Sequence, residues 1–207
     1  MPLRNSIIFC SDCFHRLERY RLADAAIFAT IQQFPSNTEI SQILTKVVLI
    51  NALYGTTIYN TLKISKHILG LNFDNKVQVG DLSIIDDIRT EHGIHTTKGS
   101  ERNVYAFATK YTSCHAPDIF PVFDNLVKKL LKYLNTTHNF HETFTQKDLH
   151  DYALFKNVVD SLITYLNLPD FRYKQIDQGM WIYAKYKYDR NKLPEDITHE
   201  IDEAVIA

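Results

Sequence analysis

The sequence lacks a long hydrophobic run. No stretch approaches the about 18 uncharged apolar residues that a membrane-spanning helix needs. The first residues also lack the apolar core and the small-residue cleavage site of a secretory signal peptide. The sequence therefore predicts no membrane segment, and we expect the protein to reside in the cytoplasm.

Cysteine is scarce, with 3 residues in a chain of 207. An odd number this small cannot form a disulfide framework, which agrees with a reducing compartment. Cys10, Cys13 and His15 have the spacing of half a zinc site. His92 and His95 are distant candidates for the other half. Because no second pair follows at ligand spacing, cysteines that pack on a helix are the favoured interpretation, and the sequence predicts no metal and no cofactor.

The common catalytic and nucleotide-binding signatures are also absent. The chain contains no glycine-rich phosphate loop, no G-x-S-x-G elbow, no H-E-x-x-H motif and no kinase or Rossmann pattern. A thiol nucleophile formed by Cys114 and His115 is disfavoured, because adjacent residues on a helix do not face each other. Chemistry must therefore come from a less common arrangement of residues.

Helical periodicity dominates what is present. Apolar residues recur at spacings of three and four, and no sustained period-two alternation marks a strand. The sequence predicts an all-α fold of roughly eight to ten helices, packed as one domain or as two closely docked helical lobes. Residues 1–192 are assigned to a single all-α domain. The acidic segment 193–207 is predicted to be a flexible tail with at most one amphipathic turn.

Several helix boundaries follow from local signals. Capping-box patterns at Ser36 to Glu39 and at Ser83 to Asp86 predict helix starts. The helix that begins at Ile40 is apolar on nearly all sides, so we expect it to be the central buried helix. A later helix is predicted from Ser100 to about His115. Asp124, at the end of a Pro-containing corner, is predicted to cap the helix that follows it.

Charge is unevenly distributed around a net value of −1. Between Lys98 and Lys132, six basic residues face three acids, and between Arg172 and Lys192 six face two. A basic region on an otherwise neutral protein indicates a phosphate-bearing partner. The alternative interpretation is a solvated helix face.

Two short motifs carry a resemblance to a known superfamily. Gly93-Ile94-His95 lies between two predicted helices, and Pro121-Val122-Phe123-Asp124 follows the second one. This order of parts resembles the helix-hairpin-helix DNA glycosylases, the superfamily of 8-oxoguanine DNA glycosylase. The segment Phe107 to Tyr111, together with Asp177 and Trp181, is similar to a signature of uncharacterised bacterial and phage proteins grouped with that superfamily. The resemblance covers residues 40–187.

The resemblance implies a DNA-binding protein that excises a modified base by a metal-free hydrolytic mechanism. It places Asp124 as the catalytic carboxylate, which would stabilise positive charge on the sugar or activate the nucleophile. Lys98 is the nearest candidate for the amine of an AP-lyase step. If the predicted helix from Ser100 is aligned directly with the corresponding helix of the superfamily, Glu101 or Arg102 takes the position of this lysine instead of Lys98. The predicted DNA contacts are Gly93, Ile94, His95, Thr96, Gly99, Arg102, Lys110 and Lys128.

Two other functions compete with base excision. His95 replaces the second hairpin glycine, and its side chain obstructs a close approach of the backbone to phosphate. This substitution favours a catalytically inactive glycosylase-like module that binds nucleic acid or a protein partner, for instance in a phage or mobile-element system. A third interpretation is a helical enzyme with a zinc site. For Trp181, core packing is favoured over base stacking.

Overall fold

The computed structural model describes residues 3–206, and it describes the side chains of residues 3–204. The all-α prediction is confirmed, because no part of that range forms a strand and the one β-bridge joins His95 and Glu101. Short 3-10 helices lie at Asp148–His150 and Arg190–Lys192. The α-helices are α1 (Leu3–Arg16), α2 (Glu18–Gln33), α3 (Ile40–Tyr54), α4 (Thr61–Gly70), α5 (Phe73–Gln78), α6 (Ile84–Arg89), α7 (Tyr105–His115), α8 (Asn125–His138), α9 (Tyr152–Tyr165), α10 (Tyr173–Tyr188) and α11 (Glu195–Ile206).

Backbone contacts divide the chain into two units. The central unit comprises residues 22–122, and the terminal unit comprises residues 1–21 together with 123–207. The terminal unit is therefore built from both ends of the chain. No helix in the described part of the chain is long and apolar enough to span a membrane.

The terminal unit is organised around α1, which packs against α10 and α11. Gly179 on α10 makes the first contact possible, because a Cβ at that position would lie 2.5 Å from the carbonyl oxygen of Ile7. Cys10 and Cys13 are buried in this core. Burial raises the pKa of the Cys13 thiol to about 11, and no group of metal-ligating side chains occurs among the described residues. Cys10 and Cys13 thus contribute to the packing of this core.

The segment after residue 192 differs from the prediction. Residues 195–206 form helix α11, where the sequence had suggested an acidic tail with at most one turn. Ile197 and Ile201 are 2% and 0% exposed, because their i, i+4 spacing places both on the face that packs into the terminal unit. The Arg16 guanidinium also joins α1 to α11 through a bidentate ion pair with the Glu200 carboxylate, with N–O distances of 2.5 and 2.7 Å. The acidic residues of α11 lie on the faces of the helix that do not pack into the unit.

The central unit contains most of α2 together with α3, α4, α5, α6 and α7. Helix α3 was predicted to be the central buried helix, but only one of its faces is buried, since Val48 and Leu53 are 45% and 42% exposed. The buried face of α3 comprises Ile43, Lys46, Val47 and Ile50. Apolar composition did not identify this face, because a helix that packs on one side leaves its remaining apolar residues at the surface.

Two helix starts in this unit lack the predicted caps. Glu39 and Ser83 occupy the cap positions of α3 and α6, and neither side chain makes a capping hydrogen bond. Ser83 has helical backbone angles, and its hydroxyl accepts a bond from Lys76 Nζ at 2.9 Å. Helix α7 begins at Tyr105 rather than at Ser100. The residues before Tyr105 have a different backbone conformation, which defines the candidate site.

Candidate nucleic-acid interface

Residues 93–102 form a short antiparallel hairpin, here called the hairpin. Thr96 donates its backbone N–H to the Ser100 carbonyl at 2.8 Å, and Arg102 donates to the Ile94 carbonyl at 2.8 Å. Lys98 lies at the exposed tip. The predicted tight connection around Gly93 is therefore a short hairpin with one β-bridge, between His95 and Glu101, and a turn at its tip that Gly99 closes with a bond to the Thr96 carbonyl.

The Glu101 carboxylate closes the base of the hairpin. Its two oxygens accept the backbone N–H of Gly93 at 2.8 Å and the backbone N–H of Glu91 at 3.1 Å. The bond from Gly93 is the main reason that the pKa of Glu101 is lowered. Ile94 donates its N–H to His92 Nδ1 at 3.0 Å. The phosphate contact predicted for the Gly93 and Ile94 backbone would require these bonds to break.

His92 supports the hairpin from inside the central unit. The side chain is buried, and burial lowers its pKa, while Glu101 acts in the opposite direction. The neutral imidazole accepts from Ile94 at Nδ1 and donates from Nε2 to the Arg102 carbonyl at 2.9 Å. The distance of 3.5 Å from Nδ1 to the Glu101 carboxylate is therefore not an ion pair, because Nδ1 carries no proton.

Cationic and aromatic side chains lie on the outer surface of the hairpin. The Arg102 guanidinium donates to Thr57 Oγ1 at 2.9 Å and lies 4.4 Å from the ring centroid of Tyr59. Tyr59 is 81% exposed. Lys63 donates from Nζ to the Gly93 carbonyl. We call Tyr59, Lys63, His95, Lys98 and Arg102 the hairpin surface.

The charges on this surface are not neutralised by ion pairs. Neither Arg102 nor Lys63 has a carboxylate partner among the described residues, since their bonds go to a hydroxyl and to a carbonyl. His95 and Lys98 are exposed. Cations beside an exposed aromatic ring suit phosphate oxygens together with the face of a base.

The other predicted contacts lie elsewhere. Thr96 and Gly99 belong to the exposed part of the hairpin. Lys110, also in the central unit, donates from Nζ to the Tyr54 carbonyl at 3.3 Å, near the C-terminal end of α3. Lys128 belongs to the terminal unit and lies 5.7 Å from the ring of Phe123. Phosphate binding by each of these residues stays a prediction.

Asp124 caps α8, as the sequence predicted. Its Oδ1 accepts the backbone N–H of Leu126 at 2.8 Å, and its backbone is extended, with φ −135°. Lys185 is within electrostatic reach: burial lowers the pKa of Lys185, and the charges of Asp189 and Asp124 partly offset that effect. The carboxylate is thus held at the start of a helix by its bond to Leu126. Its catalytic role stays a prediction, as does that of Lys98.

Sequence reasoning missed a buried polar cluster in the central unit. Lys46 is 1% exposed and donates to the carbonyls of Phe34 and Ser36 at 3.0 and 2.8 Å. Burial lowers its pKa to about 8. Tyr111 donates to Asn37 Oδ1 at 2.5 Å, and Asn37 in turn donates to Asp74. A lysine within an apolar helical run was the signal that could have revealed this cluster.

A cavity of about 340 Å³ adjoins this cluster. His115 lines it, and burial lowers the pKa of His115 to about 3. Its Nε2 atom is buried and has no hydrogen-bond partner among the described residues. The remaining lining residues are Pro35, Ser36, Phe73, Asp74, Val77 and Gln78.

Fold and surface together define an all-α protein of two helical units, with a cationic and aromatic hairpin in the central one. Residues 6–119 match the family model HI_0787_N, which is described as an N-terminal domain. The chain is also 32% identical over 157 residues to an uncharacterised protein of Haemophilus influenzae, covering 75% of this chain and 73% of that protein. The chain belongs to the HI_0787_N family. No solved structure matches it significantly.

Proposed function

We propose that this protein binds DNA through the hairpin surface, in the manner of a helix-hairpin-helix glycosylase-like protein. The order of its parts resembles that superfamily. In this protein the side chains of the hairpin make the contact, because Glu101 and His92 already occupy the backbone N–H groups of Gly93 and Ile94. The main support for this proposal is the cation–π contact between the Arg102 guanidinium and the exposed ring of Tyr59.

The chemistry of this pair suits an open nucleic-acid surface. A guanidinium binds phosphate oxygens through two parallel N–H bonds, and an exposed tyrosine ring stacks on an unpaired base. Thr57 fixes the guanidinium from one side, so less side-chain freedom is lost when phosphate binds. Lys63 adds a second cation at the same site.

Binding of a fluorescent DNA duplex tests this proposal. We expect Arg102→Gln to raise the Kd for the duplex about tenfold. We expect Tyr59→Leu to raise the Kd about tenfold for a duplex that carries an unpaired base, because the ring needs a free base face. Arg4→Gln and Tyr165→Leu are matched controls, because both side chains are exposed and lie in the terminal unit. Equal affinities for the wild type, the hairpin variants and the controls would contradict the proposal.

A second candidate function is base excision with Asp124 as the catalytic carboxylate. It is supported by the position of Asp124 at the start of α8, where the backbone N–H of Leu126 orients one oxygen. A carboxylate held in this way stabilises the positive charge that develops on the sugar as the glycosidic bond breaks. The reaction needs water as the nucleophile and no metal.

Duplexes that carry 8-oxoguanine, uracil, an alkylated base or an abasic site distinguish the active enzyme from an inactive module. The active enzyme releases a base, and Asp124→Asn abolishes release without weakening DNA binding. Trapping by borohydride that disappears in Lys98→Ala would assign the lyase amine. Salt-sensitive binding without release from any duplex would instead support the inactive module that binds nucleic acid.

A further inference from the structure

A separate cationic and aromatic surface lies in the terminal unit, on α8 and α10. Tyr133 and Tyr188 are 40% and 39% exposed. Lys187 connects them, because its Nζ lies 3.6 Å from the ring centroid of Tyr133 and 6.0 Å from that of Tyr188. We call Lys129, Tyr133, Lys187 and Tyr188 the tyrosine–lysine surface.

Helical spacing in α8 creates half of this surface. Lys129 and Tyr133 are exposed and stand four residues apart, on one face of the helix. The apolar residues of α8 are buried on the opposite side, which leaves the polar face in solvent. These buried residues are Val127, Leu130, Leu131 and Leu134.

The surface carries net positive charge. Helix α8 contains Lys128, Lys129 and Lys132 and no acid within its bounds. At the end of α10, Asp189, which follows Tyr188 in the chain, pairs with Lys192 at 2.8 Å. The proximity of the two phenols also contributes to the raised pKa of Tyr188, although burial is the larger cause. The two neighbouring rings thus lie beside Lys129 and Lys187, neither of which forms an ion pair among the described residues.

We propose that the tyrosine–lysine surface binds single-stranded nucleic acid. Stacking on an aromatic ring needs a base whose face is free, which an unpaired strand offers and an intact duplex does not. One base can stack on Tyr188, and the next can stack on Tyr133 once the Lys187 ammonium moves from that ring to a backbone phosphate. Lys129 contacts a further phosphate. Because this surface and the hairpin surface share no residue, the proposal does not depend on the hairpin.

The test measures binding of a fluorescent single-stranded thymidine oligonucleotide to the full chain by anisotropy. We expect Tyr133→Leu and Lys187→Gln each to raise the Kd about tenfold. Tyr165→Leu and Lys147→Gln are the controls, since both side chains are exposed in the same unit and lie outside this surface. Circular dichroism confirms that each variant folds.

The outcomes separate this inference from the hairpin proposal. Weaker binding of the single strand in Tyr133→Leu and Lys187→Gln, with Arg102→Gln unaffected, supports the tyrosine–lysine surface alone. Weaker binding in Arg102→Gln, with Tyr133→Leu and Lys187→Gln unaffected, overturns it. The last measurement is the binding of the wild type and of Lys187→Gln to vesicles that contain phosphatidylserine. Vesicle binding that depends on Lys187, without binding of the oligonucleotide, would also overturn the inference.

Discussion

At the scale of a single residue, two substitutions of Asp124 distinguish its role as a helix cap from a role that needs its charge. Asparagine caps a helix about as well as aspartate, whereas alanine does not, so Asp124→Ala should lower the free energy of unfolding by about 1 kcal/mol. Asp124→Asn should leave it within a few tenths of a kcal/mol. Urea denaturation measures both values. An equal loss in the two variants would show that the carboxylate charge, and not the cap at Leu126, stabilises α8.

His115 should make the protein sensitive to mild acid. Its pKa in the folded chain, about 3, lies below the ordinary value of 6.5, because burial disfavours the charged ring. Between these values the unfolded chain binds a proton that the folded chain does not, so the free energy of unfolding falls as the pH drops below about 6.5. His92 changes the free energy of unfolding in the same direction as the pH drops, since burial also lowers its pKa.

Urea denaturation between pH 7 and pH 5 measures this effect before most carboxylates titrate. His115→Phe keeps the ring contacts with Phe73 and Tyr111 and removes the titration, so its stability should depend less steeply on pH. His199→Gln is the control, because His199 is exposed on α11. Parallel pH profiles for the wild type and His115→Phe would rule out the assigned role of His115.

At the scale of elements, the hairpin depends on one carboxylate. Glu101→Ala removes the acceptor of the Gly93 and Glu91 N–H groups, so hydrogen exchange at these two amides should accelerate about tenfold. The same change removes a negative charge from the hairpin and should tighten DNA binding severalfold. Glu142→Ala, exposed in the terminal unit, is the control. Unchanged exchange would mean that the backbone bonds of the hairpin hold it together without the Glu101 side chain.

The contact between α1 and α10 depends on the absence of a side chain at Gly179. Gly179→Ala places a Cβ 2.5 Å from the Ile7 carbonyl oxygen, which forces two helices apart and should cost about 1–3 kcal/mol of stability. Gly70→Ala is a matched control, because nothing lies within 4 Å of its added Cβ. Thermal denaturation compares the two variants. A Gly179→Ala protein as stable as the control would contradict this packing.

The sequence predicted where helices lie along the chain better than it predicted which of their faces are buried. The start of α3 at Ile40 and the capping of α8 by Asp124 were predictable, because both are local features of the chain. The exposed face of α3 was not, since it depends on which partners pack against the helix. Helix α11 was missed because the surrounding acids obscured the i, i+4 pair Ile197 and Ile201.

At the scale of the whole molecule, the candidate interface combines segments that are distant in sequence. Arg102 was predicted as a DNA contact, but Tyr59 and Lys63 were missed. Tyr59 and Lys63 precede the first residue of the hairpin by 34 and 30 residues, and they reach it only through the packing of the central unit. The HI_0787_N match ends at residue 119, three residues before the end of that unit. The interface therefore lies within the matched region.

The most direct measurement is the salt dependence of duplex binding by the wild type and by Arg102→Gln. If the hairpin surface contacts phosphate, the affinity of the wild type falls steeply between about 50 and 200 mM salt, because bound counterions are released. The slope of log K against log salt should be shallower by about one for Arg102→Gln. Identical slopes, or a wild-type affinity that does not respond to salt, would contradict the central claim that this surface binds DNA.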